Sequence, residues 1–195
     1  MNTYVYKLYD ALYINLTNRC TNACNFCIRD GREGMGDYNL WLDKEPTAEE
    51  VIKEIGDPTQ YSEIVFCGFG EPMIKLDELI EIAKEVKKRG GKVRINTNGH
   101  ANIYHGENVV PKLKGIVDVI SISLNAPTAE QYQEICRSRY GLKAFDAMLD
   151  FARECVGTIP EVVMSVVDVL SPEDIEKCRK IAEDIGATFR LRHKE

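Results

Sequence analysis

The chain has 195 residues, with 31 acidic against 25 basic side chains, a net charge of −6 and 44% hydrophobic residues. That composition is globular rather than disordered, and the length suffices to bury a substantial core. No stretch approaches the ~18 uninterrupted apolar residues of a membrane span. The acidic balance excludes a broad electrostatic grip on phosphate backbones but leaves nucleic acid open as a substrate. Met1 to Leu8 lacks a basic segment leading into an apolar one, so the expectation is a cytoplasmic, reducing location with unpaired cysteines.

In chain order, short β-branched runs predict strands at Leu12–Leu16, Glu63–Phe69, Lys92–Thr97, Asp118–Leu124, Glu161–Val169 and Thr188–His193. Between them lie stretches of period 3.6. Leu76–Arg89 gathers Leu76, Leu79, Ile80, Ala83 and Val86 on one face, and Lys143–Val156 gathers Phe145, Met148, Leu149, Ala152, Cys155 and Val156. Pro172–Ile185 does the same with Ile175, Cys178, Ile181, Ala182 and Ile185. Thr47 with Glu50 and Thr128 with Gln131 read as capping boxes, Ser171-Pro172 as an N-cap, and Gly90 and Gly186 as helix stops. Alternating β and α elements imply an α/β fold with a mostly parallel sheet, either open or curled into an incomplete barrel. With no linker, low-complexity tract or repeat, residues 1–195 read as a single domain. The exception to the alternation is the glycine-rich run between Ile28 and Pro46, which includes Gly31, Gly34, Gly36 and Trp41; a loop of that length is usually functional.

Function in parallel α/β folds concentrates at the carboxyl ends of strands. The first predicted strand leads into Cys20, Cys24 and Cys27, spaced C-x3-C-x2-C. Structural zinc prefers paired C-x2-C knuckles and four protein ligands, and Cys67, Cys136, Cys155 and Cys178 are too scattered to supply a second pair. Three thiolates suit a [4Fe–4S] cluster, one per iron, leaving the fourth iron for an external ligand. Zinc and three buried small hydrophobes remain the competing readings, the last opposed by the polar Thr21, Asn22 and Asn25. The second strand ends Cys67-Gly68-Phe69-Gly70-Glu71-Pro72, where glycines let backbone groups approach a ligand. The third ends Asn96-Thr97-Asn98-Gly99, and on the fourth Ser121, Ser123 and Asn125 share one face. Those short polar side chains suit ribose hydroxyls and a carboxylate, or simply cap turns.

Together these elements resemble the radical S-adenosylmethionine (radical SAM) enzymes along the whole chain. The resemblance rests on Cys20-x3-Cys24-x2-Cys27 with Phe26 before the last cysteine. It implies a partial (β/α)6 barrel, a [4Fe–4S] cluster on Cys20, Cys24 and Cys27, and S-adenosylmethionine (SAM) at the open iron. By the same resemblance Phe26, Gly70, Glu71, Pro72, Asn98, Ser123 and Asn125 would contact the cofactor. Phe69 departs from the family's G-G-E-P motif, a variant tolerable where backbone groups make the contacts. The strand ending Val166–Val169 would lie beside adenine, though it lacks the glycine-x-isoleucine-x-glycine form. Tyr13–Cys20, Phe66–Pro72 and Ser121–Pro127 further resemble a small subgroup linked to TatD-type nucleases. What this implies is reductive SAM cleavage to a 5′-deoxyadenosyl radical acting on a small-molecule or nucleotide-like substrate. An electron donor such as flavodoxin or ferredoxin is implied too, and residues Gly31–Trp41 are placed to cover the cluster. The competing functions are an activase for a partner protein, whose characteristic N-terminal segments are not seen, and a non-catalytic metal module.

The remaining candidates read more blandly. Cys155 and Cys178 belong to helix cores, and Cys67 either lines the pocket or is buried in its strand. Cys136 follows a short helix beside Arg137 and Arg139, which either grip an anion or form a solvated basic turn. His100 and His105 fall in the loop after the third strand and are assigned no metal. Arg190 and Arg192 share one face of the last strand, as substrate-binding cations if it faces inward and as solvated edge residues if not.

Overall fold

The computed structural model describes residues 2–194. The chain opens with a hairpin, β1 (Val5–Leu8) and β2 (Ala11–Asn15), turned at Tyr9, and continues through a two-residue ribbon of β3 (Gly34–Met35) and β4 (Tyr38–Asn39). Then come α1 (Ala48–Ile55), β5 (Ile64–Cys67), α2 (Leu76–Lys88), β6 (Val93–Thr97) and the short α3 (Ala101–His105). The remainder runs β7 (Val119–Ser123), α4 (Ala129–Cys136), α5 (Lys143–Cys155), β8 (Glu161–Val167), α6 (Pro172–Ile185) and β9 (Thr188–Arg192). One sheet is ordered β1-β2-β5-β6-β7-β8-β9, with β1 antiparallel to β2 and every other neighbour parallel. Six parallel strands with helical crossovers give the expected partial barrel, and β1 adds an edge absent from the sequence reading. A four-residue strand carries too little alternation to stand out, and pairing with β2 is what makes it regular.

Alternation along the strands divides the sheet into two faces. Leu12, Ile14, Ile64, Phe66, Val93, Ile95, Ile120, Ile122, Met164 and Val166 pack outward into the main core beneath the helices. The intervening Tyr13, Asn15, Cys67, Arg94, Asn96, Ser121, Ser123 and Ser165 therefore project to the barrel interior. Helices cover the outer face as their periodicity predicts. In α2 the buried stripe runs Leu76, Leu79, Ile82, Ala83 and Val86, with Ile82 deeper than Ile80; α5 buries Phe145, Met148, Leu149, Ala152 and Cys155. Each large side chain so placed contributes ~1.5–3 kcal/mol.

The helix ends mostly follow the sequence. Thr47 and Glu50 form the reciprocal box, Ser171 caps α6 through the Asp174 N–H, and Gly186 ends it at φ 91°. Thr128 caps α4 through the Gln131 N–H, but Gln131 Oε1 accepts from the Thr128 hydroxyl at 3.1 Å rather than from its backbone N–H, and Nε2 reaches Asp174 at 2.9 Å, so that box is half made. No helix among the described residues is long and apolar enough to cross a membrane.

Candidate metal and cofactor site

The cysteine segment leaves the carboxyl end of β2 and is gripped at once by the turn after β5. The Glu71 N–H donates to the Arg19 carbonyl at 2.7 Å. A Cβ on Gly70 would lie 2.2 Å from the Thr17 carbonyl oxygen and 2.6 Å from that of Arg19, so only glycine fits this approach. Gly68, at φ +114°, is likewise closed against the Asn15 side chain. Phe69 between them turns into a small apolar cluster with Tyr6 and Leu40, its ring 5.1 Å from that of Trp41. Met35, Leu40 and Trp41 of the glycine-rich segment, with Tyr6 of β1, thus form the pocket that accommodates phenylalanine at this position.

Cys20, Cys24 and Cys27 are unbridged and half-buried, and Phe26 between them is half-buried too. Tight turns shape the loop: Cys27 N–H donates to the Cys24 carbonyl, and Asp30 N–H to that of Cys27, both at 3.1 Å. The Cys20 sulfur accepts from the Asn22 N–H at 3.5 Å and from Asn98 Nδ2 at 3.8 Å. Burial, with the nearby Glu71 charge, pushes the Cys20 thiol up to about 11, and burial raises Cys27 as well. Metal must displace those protons. Among the described residues no three metal-binding side chains close on a single ion, and a cluster does not require it, because each thiolate holds its own iron.

Glu71 and Asn98 brace this loop. Glu71 is buried; its Oε1 accepts from Met73 N–H at 3.0 Å and Thr97 Oγ1 at 2.8 Å, and its Oε2 from Asn98 N–H at 2.8 Å. Burial outweighs the three donors and pushes its carboxyl from 4.5 to about 7. Asn98 Nδ2 donates to Thr21 Oγ1 at 2.8 Å, and its Oδ1 accepts from His100 N–H at 3.0 Å. Both side chains are spent on the protein. Pro72 is buried in the short 3-10 turn Pro72–Lys75 that follows.

The histidines correct the loop expectation: His100 is the N-cap and His105 the last residue of α3. His100 is 1% exposed, with Nδ1 2.9 Å from Thr21 Oγ1 and Nε2 2.9 Å from Tyr132 Oη, while His105 Nε2 meets the Met73 carbonyl at 2.8 Å. Burial lowers the His100 imidazole to about 4 and keeps it neutral.

On β7, Ser123 is half-buried on the interior face, and Asn125 just beyond is 3% exposed in a left-handed conformation, φ 64°. Buried Oδ1 atoms of Asn125 and of Asn96 on β6 have no hydrogen-bond partner. Such acceptors call for donors, and ribose hydroxyls are donors of the right kind. Cys67 is half-buried, its thiol against the Tyr6 hydroxyl; Cys155 and Cys178 are fully buried, as core cysteines should be. Arg137 and Arg139 are exposed. Arg192 Nε donates to Ser165 Oγ at 3.1 Å, which sets the arginines of β9 on the interior side. Cys136 is the buried last residue of α4 rather than a residue after it, and it lies against the cysteine loop. Its proximity to Cys24 spans more than a hundred residues and leaves no local signal.

Three unbridged thiols on one loop, a glycine that admits no side chain and orphan acceptors on β6 and β7 fit an iron–sulfur cluster with an adenosyl ligand beside it. The comparisons agree. The chain is 28% identical over 146 residues to the tungsten-containing aldehyde ferredoxin oxidoreductase cofactor-modifying protein of Pyrococcus furiosus, covering 66% of this chain and 38% of that one. It is 24% identical over 185 residues to the GTP 3′,8-cyclase of Aquifex aeolicus, covering 92% of this chain and 55% of that one. Its fold matches Streptococcus suis SuiB bound to precursor peptide SuiA with a TM-score of 0.71 at 14% identity, over 98% of this chain and 40% of SuiB. The chain thus spans 38% and 55% of the length of these two relatives. Radical SAM enzymes use a [4Fe–4S] cluster and S-adenosylmethionine, and SuiB is solved with SAM bound. The family model of the radical SAM superfamily matches residues 14–185, from the first parallel strand through the last helix, and the chain belongs to that superfamily.

Proposed function

We propose that Cys20, Cys24 and Cys27 hold a [4Fe–4S] cluster and that SAM lies beside it, over the carboxyl ends of β5 to β8. When bound, these cofactors supply reductive cleavage of the sulfonium to methionine and a 5′-deoxyadenosyl radical that takes a hydrogen atom from the substrate. The chain's part is to position and to exclude water. Gly70 lets the backbone of the Glu71-Pro72 turn close on the cysteine loop. Ser123 and Asn125 offer hydroxyl and amide groups to the ribose, and Asn98 acts from behind through Thr21. Phe26 and the 31–41 segment, with Trp41 against Phe69, screen the loop from solvent. We read residues 1–195 as one radical SAM core, served by an electron donor such as flavodoxin or ferredoxin. A functional link to a TatD-type nuclease rests on sequence resemblance alone.

The observation that carries this reading is convergence: the cysteine loop, the Gly70 turn, Asn98 and Asn125 come from four strand ends and meet there, Asn98 on Cys20 and Thr21 and Asn125 by way of Cys136. A small-molecule or nucleotide-like substrate is favoured by the interior Arg192 and by the GTP named for the cyclase relative. The test is anaerobic reconstitution with iron and sulfide. The expected results are a reducible cluster signal in electron paramagnetic resonance, altered by SAM, and 5′-deoxyadenosine on adding reductant, all lost in Cys20→Ala. One zinc with no sulfide would establish the non-catalytic module instead. Hydrogen transfer from a partner protein, rather than from small molecules, would establish the activase.

A further inference from the structure

The run Cys136-Arg-Ser-Arg-Tyr140 has no part in the function proposed above, yet it is the surface on which the cysteine loop rests. An α-helix leaves its last four carbonyls without internal partners. Arg137 takes a left-handed conformation, φ 47° and ψ 51°, and stops α4 there. The freed carbonyls of Cys136 and Ile135 accept from Ala23 N–H at 2.9 Å and Asn25 N–H at 3.0 Å. The loop after α4 adds a third bond, from Arg139 N–H to the Thr21 carbonyl at 2.9 Å. Residues 21, 23 and 25 are therefore stitched to the end of α4, on both sides of Cys24.

Side chains complete the seat. Cys136 is fully buried; its sulfur accepts from Asn125 Nδ2 at 3.4 Å, and in the metal-free chain it also accepts from the Cys24 thiol and the Tyr132 hydroxyl. Tyr132, one turn earlier, meets Asn22 Nδ2 at 3.3 Å and His100 Nε2 at 2.9 Å, and the His100 ring continues to Thr21 Oγ1. Cys155 and Cys178 are equally buried but lie in the helix cores, away from the loop. The difference marks Cys136 as more than a small hydrophobe.

Resting on the cluster reading, we propose that Cys136 is a positioning residue for the ligand Cys24: once metal has displaced the Cys24 proton, the Cys136 S–H donates to the Cys24 sulfur, fixing that ligand and raising the reduction potential of the cluster. Hydrogen bonds to cluster sulfurs stabilise the more negative, reduced state, and they are a recognised control of such potentials. Asn125, which donates to the same Cys136 sulfur, links this device to the ribose strand.

The test compares the full chain with Cys136→Ala and Cys136→Ser, reconstituted anaerobically. Cys136→Ala should shift the midpoint negative by ~30 mV or more, about threefold less reduced cluster at fixed potential for a one-electron couple. It should also alter the resonance signal of the reduced cluster, and Cys136→Ser, which keeps a donor, should restore both. In metal-free protein, alkylation of Cys24 followed by peptide mass spectrometry should quicken in Cys136→Ala and not in Cys136→Ser. Folded variants with wild-type potential, signal and alkylation rate would overturn the proposal. If Cys136→Ala does not fold, the serine variant decides, because loss of potential or signal there contradicts donor rescue. A wild-type chain that assembles no cluster refutes the functional reading, and the alkylation comparison still decides the Cys24–Cys136 contact.

Discussion

Replacing Glu71 by glutamine should remove a specific pH dependence from folding. Burial raises the Glu71 carboxyl from 4.5 to about 7 in the folded chain. The difference, about 2.5 units at 1.36 kcal/mol each, is ~3 kcal/mol. The folded state holds this proton more tightly than the unfolded state does. The contribution is therefore complete below the unfolded value of 4.5 and is lost as pH rises through about 7. Glutamine cannot ionise: its one oxygen still accepts from Met73 and Thr97, while its amide nitrogen meets the Asn98 N–H donor to donor, a pH-independent cost of ~1–3 kcal/mol. Relative to wild type the variant should therefore gain up to ~3 kcal/mol between pH 4 and pH 8, on top of that constant offset. His100, lowered to about 4, adds a slope of the opposite sense, with stability lost as pH falls below its ordinary value of 6.5. That slope is common to both proteins and cancels in their difference. Urea denaturation of metal-free, reduced protein across this range measures it. Parallel curves for the two proteins across this range would show that the three donors keep Glu71 ionised and would refute the reasoning.

Further outcomes follow from single contacts. Gly70→Ala puts a methyl group against two backbone carbonyls, so melting temperature and iron uptake should both fall, at a cost of at least ~1–3 kcal/mol. His100→Phe leaves Thr21 and Tyr132 without their buried partner; urea midpoints should register ~1–3 kcal/mol, and cluster yield should drop with them. Thr47→Ala breaks the α1 capping box for about 1 kcal/mol and should leave iron content unchanged. Cys155→Ser sets a hydroxyl in an apolar helix face, costing ~1–3 kcal/mol with full iron content, whereas Cys20→Ser should lose iron first.

The parallel strands were legible because β-branched runs and 3.6-residue stripes are local signals, and Thr47, Ser171 and Gly186 marked helix ends through chemistry that acts within four residues. β1 was illegible because its regularity comes from β2, and α3 because a five-residue helix has no periodicity to display. At the site, the cysteine spacing announced itself, while the supporting residues did not. Asn98 was found as a polar residue after a strand, but its engagement with Thr21 and Cys20 depends on how β6 lies beside the loop. His100 and Cys136 looked like an unassigned histidine and a basic turn. Only the packing of α3 and α4 against residues 21–25 makes them neighbours, and no window of sequence contains both partners.

The seam between residues 21–25 and the end of α4 also orders events in time. During synthesis the three cysteines emerge early, but the backbone groups that hold their loop belong to Ile135, Cys136 and Arg139. A nascent chain that has reached only β6 carries its thiols on a segment with no seat. Domains fold as units, and such long-range contacts form late and slowly. On the cluster reading proposed above, metal would meet a seated loop only after roughly the first 140 residues have left the ribosome. On that reading, iron arriving sooner would meet three thiols on an unanchored loop, and cluster assembly would follow translation rather than accompany it.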